Sequence, residues 1–339
     1  MSLFTPHPLA LETAYSELKR QASEQTLLLA GTPGSVGPRE VDGRPFLYRQ
    51  FYDALGKKRA DYLGRADDPT VQAHADLVRE AITITQGLLE QARFLARQGY
   101  VRADTPSTAV VTASARRGLF QHGAVLVGSH AYGVVLNELG VKAAAFRTAD
   151  VDIARGPALS TNVSFAEVLD ESLVPLSPVL GFDRKAPPTT WKAPGRDGLR
   201  VDLLVPAVGK DVGVRAVPEL STHATALPHL DYLLADPLDA VLLGREAVVP
   251  VRVPQPVRFA WHKMLVSQLR TSTSDKRNKD LHQAAVLFAV LAVREPEALA
   301  EAFHAVPDQR RTRVASSRVR ELLEEEGHER AVELLGDLV

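Results

Sequence analysis

The chain has 339 residues, of which 45% are apolar and 24% are charged, enough for two or three domains with an ordinary core. The lack of cysteine excludes disulfides and thiolate metal sites, so carboxylates and imidazoles are the remaining ligands and a hard ion such as Mg²⁺ or Mn²⁺ is expected. A formal net charge of −1 excludes a general attraction to nucleic acid, so a polyanionic partner would need a local basic surface.

The N-terminal sequence MSLFTPHPLALETAY does not resemble a secretion signal, because no basic flank precedes a long apolar stretch. No segment of the chain reaches the ~18 uninterrupted apolar residues of a membrane span. We therefore expect a soluble, globular protein with no membrane contact and a cytoplasmic location.

The first part of the chain, residues 1–105, predicts a small unit of mixed secondary structure. Residues 8–30 have the pattern of a helix, and GTPGSVGP at 31–38 predicts a flexible break. The stretch PFLYRQFYDALGKKRADYLG, residues 45–64, alternates large and polar residues on either side of a Gly-Lys-Lys turn, which predicts a β-hairpin. Residues 70–98 have helical periodicity and predict one long helix.

A β-rich centre follows, from about residue 118. Short apolar runs predict strands in GAVLVG (123–128), DVDIA (150–154), LRVDLLV (199–205) and VVPVRV (248–253). Helical or loop stretches separate these runs. The centre is therefore expected to be an α/β or α+β unit, with boundaries at residues 106–255.

Beyond Pro256 the sequence is almost wholly helical and predicts a C-terminal helical domain, residues 256–339. The predicted helices lie near 257–270, 277–293, 296–304, 308–325 and 328–338. Pro296 and Pro307 fall where helix starts are expected.

Three aspartates on predicted strands are the strongest chemical signal. The period of two in DVDIA places Asp150 and Asp152 on one face, where each raises the pKa of the other unless a cation neutralises them. Asp202 lies between apolar neighbours in LRVDLLV. Three acids on adjacent strands can bind two divalent ions about 3.5 to 4 Å apart, an arrangement suited to phosphoryl or nucleotidyl transfer. The alternative is that the D-x-D pair is a solvated strand end.

The dipeptide Gly128-Ser129 ends the first of these strands. Glycine allows another group to approach the backbone closely, and the serine precedes the helical sequence HAYGVVLNEL, which Gly140 stops. Free amides and a hydroxyl at the positive end of a helix suit a triphosphate. The alternative is an ordinary strand-turn-helix in which Ser129 caps the helix.

The order strand, Gly-Ser, helix, Asp-x-Asp and a third Asp on a later strand resembles the DNA polymerase β-like nucleotidyltransferase superfamily. The resemblance implies an α+β nucleotidyltransferase fold, a short mixed sheet flanked by helices. It further implies that Gly128 and Ser129 hold the β- and γ-phosphates of a nucleoside triphosphate, and that Asp150 and Asp152 bind both metal ions. Asp202 would bind the catalytic metal and help to deprotonate the acceptor hydroxyl.

The pattern is most similar to a bacterial family known only by its nucleotidyltransferase fold, itself related to toxin-type (abortive infection) nucleotidyltransferases. The hairpin sequence LYRQFYDALGKKRADYLG and the phrase HKMLVSQLR extend the resemblance to most of the chain. One departure is the long interval between Ser129 and Asp150, which implies an extra turn or loop, VKAAAFRTA, before the second strand.

The segment FAWHKMLVSQLRTSTSDKRNKDLHQA contains a series of cations at helical spacing. Lys263 and Arg270 are two turns apart and share a face, and Lys276 and Lys279 follow on the next helix. A solvated charged face is the simplest interpretation. Similar helices in toxin-type nucleotidyltransferases contact the triphosphate, which implies the same role for these four residues. Asp280 is expected to pair with a nearby base or to cap structure rather than to bind metal.

Other polar and aromatic residues have two interpretations each. His130 follows Ser129 and either touches phosphate or base or is a satisfied histidine at a helix start, whereas His262 is expected to be a packed neighbour of Lys263. An aromatic and basic strip on the predicted hairpin either contacts an RNA acceptor or is an exposed, soluble surface, and it consists of Tyr48, Tyr52, Lys57, Lys58 and Arg59.

The sequence thus predicts a Mg²⁺- or Mn²⁺-dependent nucleotidyltransferase that moves a nucleoside monophosphate from a triphosphate, such as ATP, to an acceptor hydroxyl and releases pyrophosphate. The likeness to toxin-type enzymes implies RNA, such as a tRNA end, as acceptor, with a protein or a small molecule still open, and an antitoxin as a further partner. Two alternatives remain: a nucleotide-binding module without turnover, and a D-x-D glycosyltransferase, which leaves Gly128-Ser129 and Asp202 unexplained.

Overall fold

The computed structural model describes residues 2–144, 149–180, 186–209, 213–270 and 274–339. These residues form helices and several sheets in a mixed α+β fold, so the predicted fold class is confirmed.

The N-terminal part combines a three-stranded antiparallel sheet with a long helix. Its elements are β1 (Phe4–Pro6), α1 (Leu9–Ser23), β2 (Ser35–Val41), β3 (Arg44–Tyr52), β4 (Lys58–Arg65) and α2 (Pro69–Arg97). The sheet order is β2-β3-β4, and the Asp68 side chain caps α2 by accepting from the Thr70 amide. The hairpin predicted at 45–64 and the helix predicted at 70–98 are confirmed.

Two expectations for this part were wrong. α1 ends at Ser23 instead of residue 30, because the following apolar residues, Leu29 among them, pack against α2. The predicted flexible break at 31–38 contains the start of β2, which pairs with β3. β2 lies at the edge of its sheet, where Pro38 can be accommodated without interrupting a central ladder.

The centre of the chain forms the main mixed sheet and its flanking helices. Its elements are α3 (Thr105–Arg116), β5 (Ala124–Val127), α4 (Gly128–Glu138), β6 (Val141–Ala143), β7 (Asp150–Arg155), α5 (Phe165–Glu171), β8 (Ser177–Pro178), β9 (Thr190–Lys192), β10 (Arg200–Pro206), β11 (Val214–Val217), β12 (Thr222–Leu227), α6 (Leu230–Leu234), β13 (Leu238–Leu243) and β14 (Val248–Val253).

The main sheet has the order β11-β12-β10-β7-β5, with β9 paired to β10 and β8 to β9. β10 is parallel to β7 and β12, whereas β5 is antiparallel to β7. The four predicted central strands all form, but VVPVRV (β14) pairs with β13 in a separate two-stranded sheet. β6 pairs with β1, and residues 145–148 of the predicted VKAAAFRTA loop lie outside the described residues.

The C-terminal part is helical, as predicted. Its elements are α7 (Pro256–Ser267), α8 (Ser274–Arg294), α9 (Pro296–His304), α10 (Gln309–Glu325) and α11 (Glu329–Leu338). The Trp261 indole is buried, donates to the Leu299 carbonyl at 2.8 Å, and packs edge-on against Phe288 with ring centroids 5.1 Å apart. The same apolar cluster continues from these helices into the main sheet. The domain boundaries at residues 105 and 255 stay a prediction.

None of the described helices is both long enough and apolar enough to cross a bilayer.

Candidate active site

Two parallel strands of the main sheet bring the three predicted aspartates together. Asp150 and Asp152 lie on β7, and Asp202 on β10 is the direct cross-strand partner of Asp152. Val151 and Ile153, which alternate with the aspartates on β7, are completely buried. Residues of one strand alternate between faces, so the buried valine and isoleucine fix the carboxylates on the opposite face. The structure therefore places all three side chains on one face of the sheet, with Asp152 directly opposite Asp202 and Asp150 opposite Arg200.

The surroundings of Asp152 disfavour a negative charge on its carboxylate. Burial, followed by the neighbouring carboxylates of Asp202 and Asp150, raises the pKa of Asp152 to about 7, from an ordinary value of 3.8. The charges of Lys263 and Arg200 oppose this rise and do not cancel it. The site has an excess of negative charge that a cation would neutralise.

Asp202 is held by two residues that the sequence reasoning missed. The Arg200 guanidinium donates to the two Asp202 oxygens at 3.1 and 3.2 Å, and the Thr190 hydroxyl donates to Oδ1. The Arg200 contact could have been predicted from the sequence, because Arg200 and Asp202 are two residues apart on one strand and therefore share a face. The Thr190 contact could not have been predicted, since it depends on the pairing of the three-residue strand β9 with β10. These contacts fix the orientation of the Asp202 carboxylate.

Gly128 lies against the Asp152 carboxylate at the corner between β5 and α4. Its φ of +71° is in the region that favours glycine, and a Cβ atom added here would overlap Asp152 Oδ2. Val127, the residue before it, is the cross-strand partner of Asp152. Glycine at this position therefore lets the start of α4 meet the carboxylate face of β7.

Ser129 lies in the first turn of α4, because the helix begins at Gly128. The alternative in which Ser129 caps the helix is wrong, since the residue before the helix is Val127 and no side chain caps it. The Ser129 hydroxyl instead accepts a hydrogen bond from Lys279 Nζ at 2.8 Å. Helix α8 thereby places the Lys279 ammonium group at the Gly-Ser corner.

Two of the other predicted cations, Lys263 and Arg270, contact Asp280, which is buried. Its two oxygens accept from Lys263 Nζ and Arg270 Nε, both at 2.8 Å, so the expectation that Asp280 pairs with a base is confirmed. Burial opposes the charge of Asp280, but Lys263 and Arg270 hold its pKa below the ordinary value. Burial, followed by the charge of Lys263, lowers the pKa of Lys279. Asp280 of α8 thus holds together Lys263 of α7 and Arg270, which lies beyond the end of α7, and Lys279 is the residue before Asp280.

Lys276 is exposed and lines a cleft of about 770 Å³. The lining residues are Ala144, Asp275, Lys276, Asn278, Lys279, Leu281, His282, Arg318 and Leu322. Since Lys279 also bonds Ser129, this cleft is next to the Gly-Ser corner.

Both histidines considered from the sequence have a lowered pKa; His262 is buried and His130 is half-buried. Burial lowers the pKa of His130, and the stronger burial of His262 lowers its pKa to about 3. Within the described part of the chain, neither Nε2 atom has a hydrogen-bond partner.

The three aspartates supply the hard oxygen donors that Mg²⁺ or Mn²⁺ prefers. Over residues 2–144, 149–180, 186–209, 213–270 and 274–339, no group of three or more His, Asp or Glu side chains is placed to hold a metal ion, and Asp202 is bound by Arg200 and Thr190. The donor chemistry and the raised pKa of Asp152 fit a cation. The assignment of Asp150, Asp152 and Asp202 as metal ligands stays a prediction.

A mixed sheet with aspartates on neighbouring strands, beside a Gly-Ser helix start, is the arrangement of a nucleotidyltransferase-like α+β fold. A family model described as Nucleotidyltransferase matches residues 105–307, more than half of the chain, and the chain belongs to this family. The matched region begins at α3 and includes the aspartates, the Gly-Ser corner and the α7–α8 cations. No curated protein and no solved structure matches the chain.

Proposed function

We propose that this protein transfers a nucleoside monophosphate from a nucleoside triphosphate to an acceptor hydroxyl, with a divalent metal ion and with release of pyrophosphate. The family supports nucleotidyl transfer in general. The observation that carries the finer proposal is the cross-strand pairing of Asp152 with Asp202, on the face that Gly128 approaches.

The triphosphate would bind between the start of α4 and the cations of α7 and α8. The first amides of a helix attract anions, and the Lys279 ammonium group already lies at the Ser129 hydroxyl. Lys263 and Arg270 are held close by through Asp280. Charge-assisted bonds from these groups would orient the phosphates and stabilise the charge that develops on pyrophosphate as it leaves.

Asp150 and Asp152 would hold the metal ion, with Asp202 as the third ligand. When bound, Mg²⁺ or Mn²⁺ neutralises phosphate charge and polarises the reacting phosphoryl group. To bind the metal ion, Asp202 would have to release its ion pair with Arg200. The Arg200 side chain is partly exposed, so it can move into solvent. Because Asp152 is half-buried among carboxylates, it gains from a neighbouring cation.

In the transfer step the acceptor oxygen would attack the α-phosphorus in line, and the bond to pyrophosphate would break. Asp202 would take the proton of the acceptor hydroxyl, and the Thr190 hydroxyl steadies its carboxylate. Positioning and charge neutralisation would supply most of the acceleration.

We extend the proposal to ATP as donor and RNA, such as a tRNA end, as acceptor, in the cytoplasm. The support is the likeness of the α7–α8 sequence to toxin-type enzymes. The same likeness supports an antitoxin as a regulatory partner.

The test is incubation of the purified protein with each α-labelled triphosphate, Mg²⁺ or Mn²⁺, and total cellular RNA or protein. The proposal expects labelled acceptor from the parent and none from Asp150→Ala. Asp197→Ala is the matched control, because Asp197 is an exposed carboxylate in the loop before β10. Equal labelling by the parent and Asp150→Ala would reject metal-dependent transfer at this site.

One observation favours the second candidate, a nucleotide-binding module without turnover. Asp202 is bound by Arg200, as expected for a carboxylate that serves structure. Calorimetric triphosphate binding without pyrophosphate release over the same acceptor panel would support that candidate.

A further inference from the structure

The β2–β4 sheet has two faces of different chemistry. On one face, Leu47 and Phe51 are buried, with Leu63 packed in the apolar cluster that includes Val78 and Ile82 of α2. Because strand residues alternate, the even-numbered residues of β3 and their cross-strand partners form the opposite, outer face. We define the outer face by Ser35, Gly37, Arg39, Val41, Arg44, Phe46, Tyr48, Gln50, Tyr52, Lys58, Ala60, Tyr62 and Arg65.

Aromatic rings form a row on this outer face. Tyr48 and Tyr62 are cross-strand partners with ring centroids 5.4 Å apart, and Tyr62 also lies 5.8 Å from Phe46. Tyr62 is 59% exposed and Tyr52 is 52% exposed. Tyr62 thus contacts both Phe46 and Tyr48, which are half-buried, and the Tyr62 and Tyr52 rings are exposed to solvent. Folding of the sheet onto α2 uses the other face, so it does not account for this row.

The outer face is also selectively basic. The Arg39 guanidinium lies 6.0 Å from the Tyr48 ring centroid, and Lys58 is the cross-strand partner of Tyr52. The strand carboxylates Glu40 and Asp61 alternate to the opposite face.

The remaining acids of the hairpin are neutralised or lie in turns. Asp61 forms an ion pair with Arg49, and the buried Asp53 side chain accepts from Arg59 at 2.8 Å. Asp42 lies in the turn between β2 and β3. The strand positions of the outer face therefore carry arginine and lysine and no carboxylate. This is a local basic surface on a chain whose net charge is −1.

From this combination we infer that the outer face binds single-stranded nucleic acid. Exposed rings stack on unpaired bases, and cations beside them neutralise the phosphates. A duplex keeps its bases stacked internally and would use only the cations. An acidic protein segment would likewise contact the cations and would not need the aromatic rings. Solubility explains lysines at the turn, but it does not explain four aromatic residues on a solvent-facing surface.

The binding test is fluorescence anisotropy with labelled oligouridylate, oligothymidylate and a short duplex, without any triphosphate. Tyr48→Ala combined with Tyr62→Ala is expected to weaken single-strand binding by at least about tenfold, because each ring contributes a stacking platform. The double Tyr→Phe variant keeps the rings and is expected to bind like the parent. Phe94→Ala is the matched control, since Phe94 is an aromatic residue of α2 that is 46% exposed.

The charge contribution is tested by the salt dependence of the same binding. Arg39→Gln and Lys58→Gln are each expected to reduce the slope of log K against log salt by about 0.7, the value for one phosphate contact on a single strand. Comparison of the affinities for oligouridylate and oligothymidylate shows whether the outer face prefers RNA or DNA.

Three results would overturn the inference: no binding of either oligonucleotide, equal affinity of the parent for the duplex, or full affinity in the double Tyr→Ala variant with a native melting temperature. Full affinity without the rings would indicate a partner held by charge alone. The measurement contains no nucleotide donor, so its outcome is independent of nucleotidyl transfer.

Discussion

Replacing Asp152 with asparagine should stabilise the protein at alkaline pH while it removes a residue of the proposed active site. The Asp152 carboxyl is half-buried beside Asp150 and Asp202, and its pKa is raised to about 7. Asparagine has nearly the same shape and carries no charge at any pH. The variant therefore lacks the repulsion that the folded parent experiences once Asp152 ionises.

The sign and size follow from proton linkage. Between the ordinary pKa of 3.8 and about 7, the folded state keeps a proton that the unfolded chain has released, so the free energy of unfolding falls as pH rises through this window. The full difference corresponds to about 4 kcal/mol, of which about 2 to 3 kcal/mol accumulates between about pH 5 and about pH 8.

Urea unfolding of parent and Asp152→Asn across this pH range measures the effect. The stability advantage of the variant should grow by about 2 to 3 kcal/mol from about pH 5 to about pH 8. Asp197→Asn, in an exposed loop, should show no such growth. An advantage for Asp152→Asn that is independent of pH would refute the proposed burial among carboxylates.

Three further substitutions probe the packing around the site. Asp280→Asn leaves the Lys263 ammonium buried without its carboxylate, and should lower the free energy of unfolding by about 3 kcal/mol in urea titrations. Gly128→Ala should lower the free energy of unfolding by at least about 1 kcal/mol, because Gly128 has a positive φ and an added Cβ would overlap the Asp152 carboxylate. Its control is Gly87→Ala in the exposed middle of α2, which should raise the free energy of unfolding by roughly 0.5 to 1 kcal/mol. Lys279→Met removes the cation at the α4 serine and should raise the KM for triphosphate at least about tenfold in steady-state assays.

Each of these has a contrary outcome. A loss below about 1 kcal/mol for Asp280→Asn would mean that water already solvates Lys263. Equal effects of alanine at positions 128 and 87 would contradict the close approach at the corner. An unchanged KM in Lys279→Met would remove that lysine from the triphosphate site.

The parts of the fold that sequence predicted well are those set by local periodicity. β7 shows this, since buried Val151 and Ile153 force Asp150 and Asp152 to the other face. The long helix α2 and the C-terminal helices follow from apolar spacing and caps in the same way. β2 was not predicted, because Gly37 and Pro38 are turn-forming residues and only its edge position in the sheet accommodates them.

The parts of the site that sequence could not predict depend on contacts between distant segments. The bond from Lys279 to Ser129 joins residues 150 positions apart, and no local pattern encodes it. The Thr190 contact with Asp202 requires pairing of the short strand β9 with β10. Local spacing predicted candidate site residues, whereas tertiary packing determines their partners.

The central claim is that Asp152 and Asp202, on neighbouring strands, act as one catalytic unit. Its most direct measurement is the rate of label transfer from triphosphate to acceptor by Asp152→Ala, Asp202→Ala and the double variant. The account predicts that each single variant loses at least about a thousandfold and that the double variant is no slower than the slower single one, because residues acting as a unit are not additive. Transfer at the parental rate by Asp202→Ala would contradict the claim.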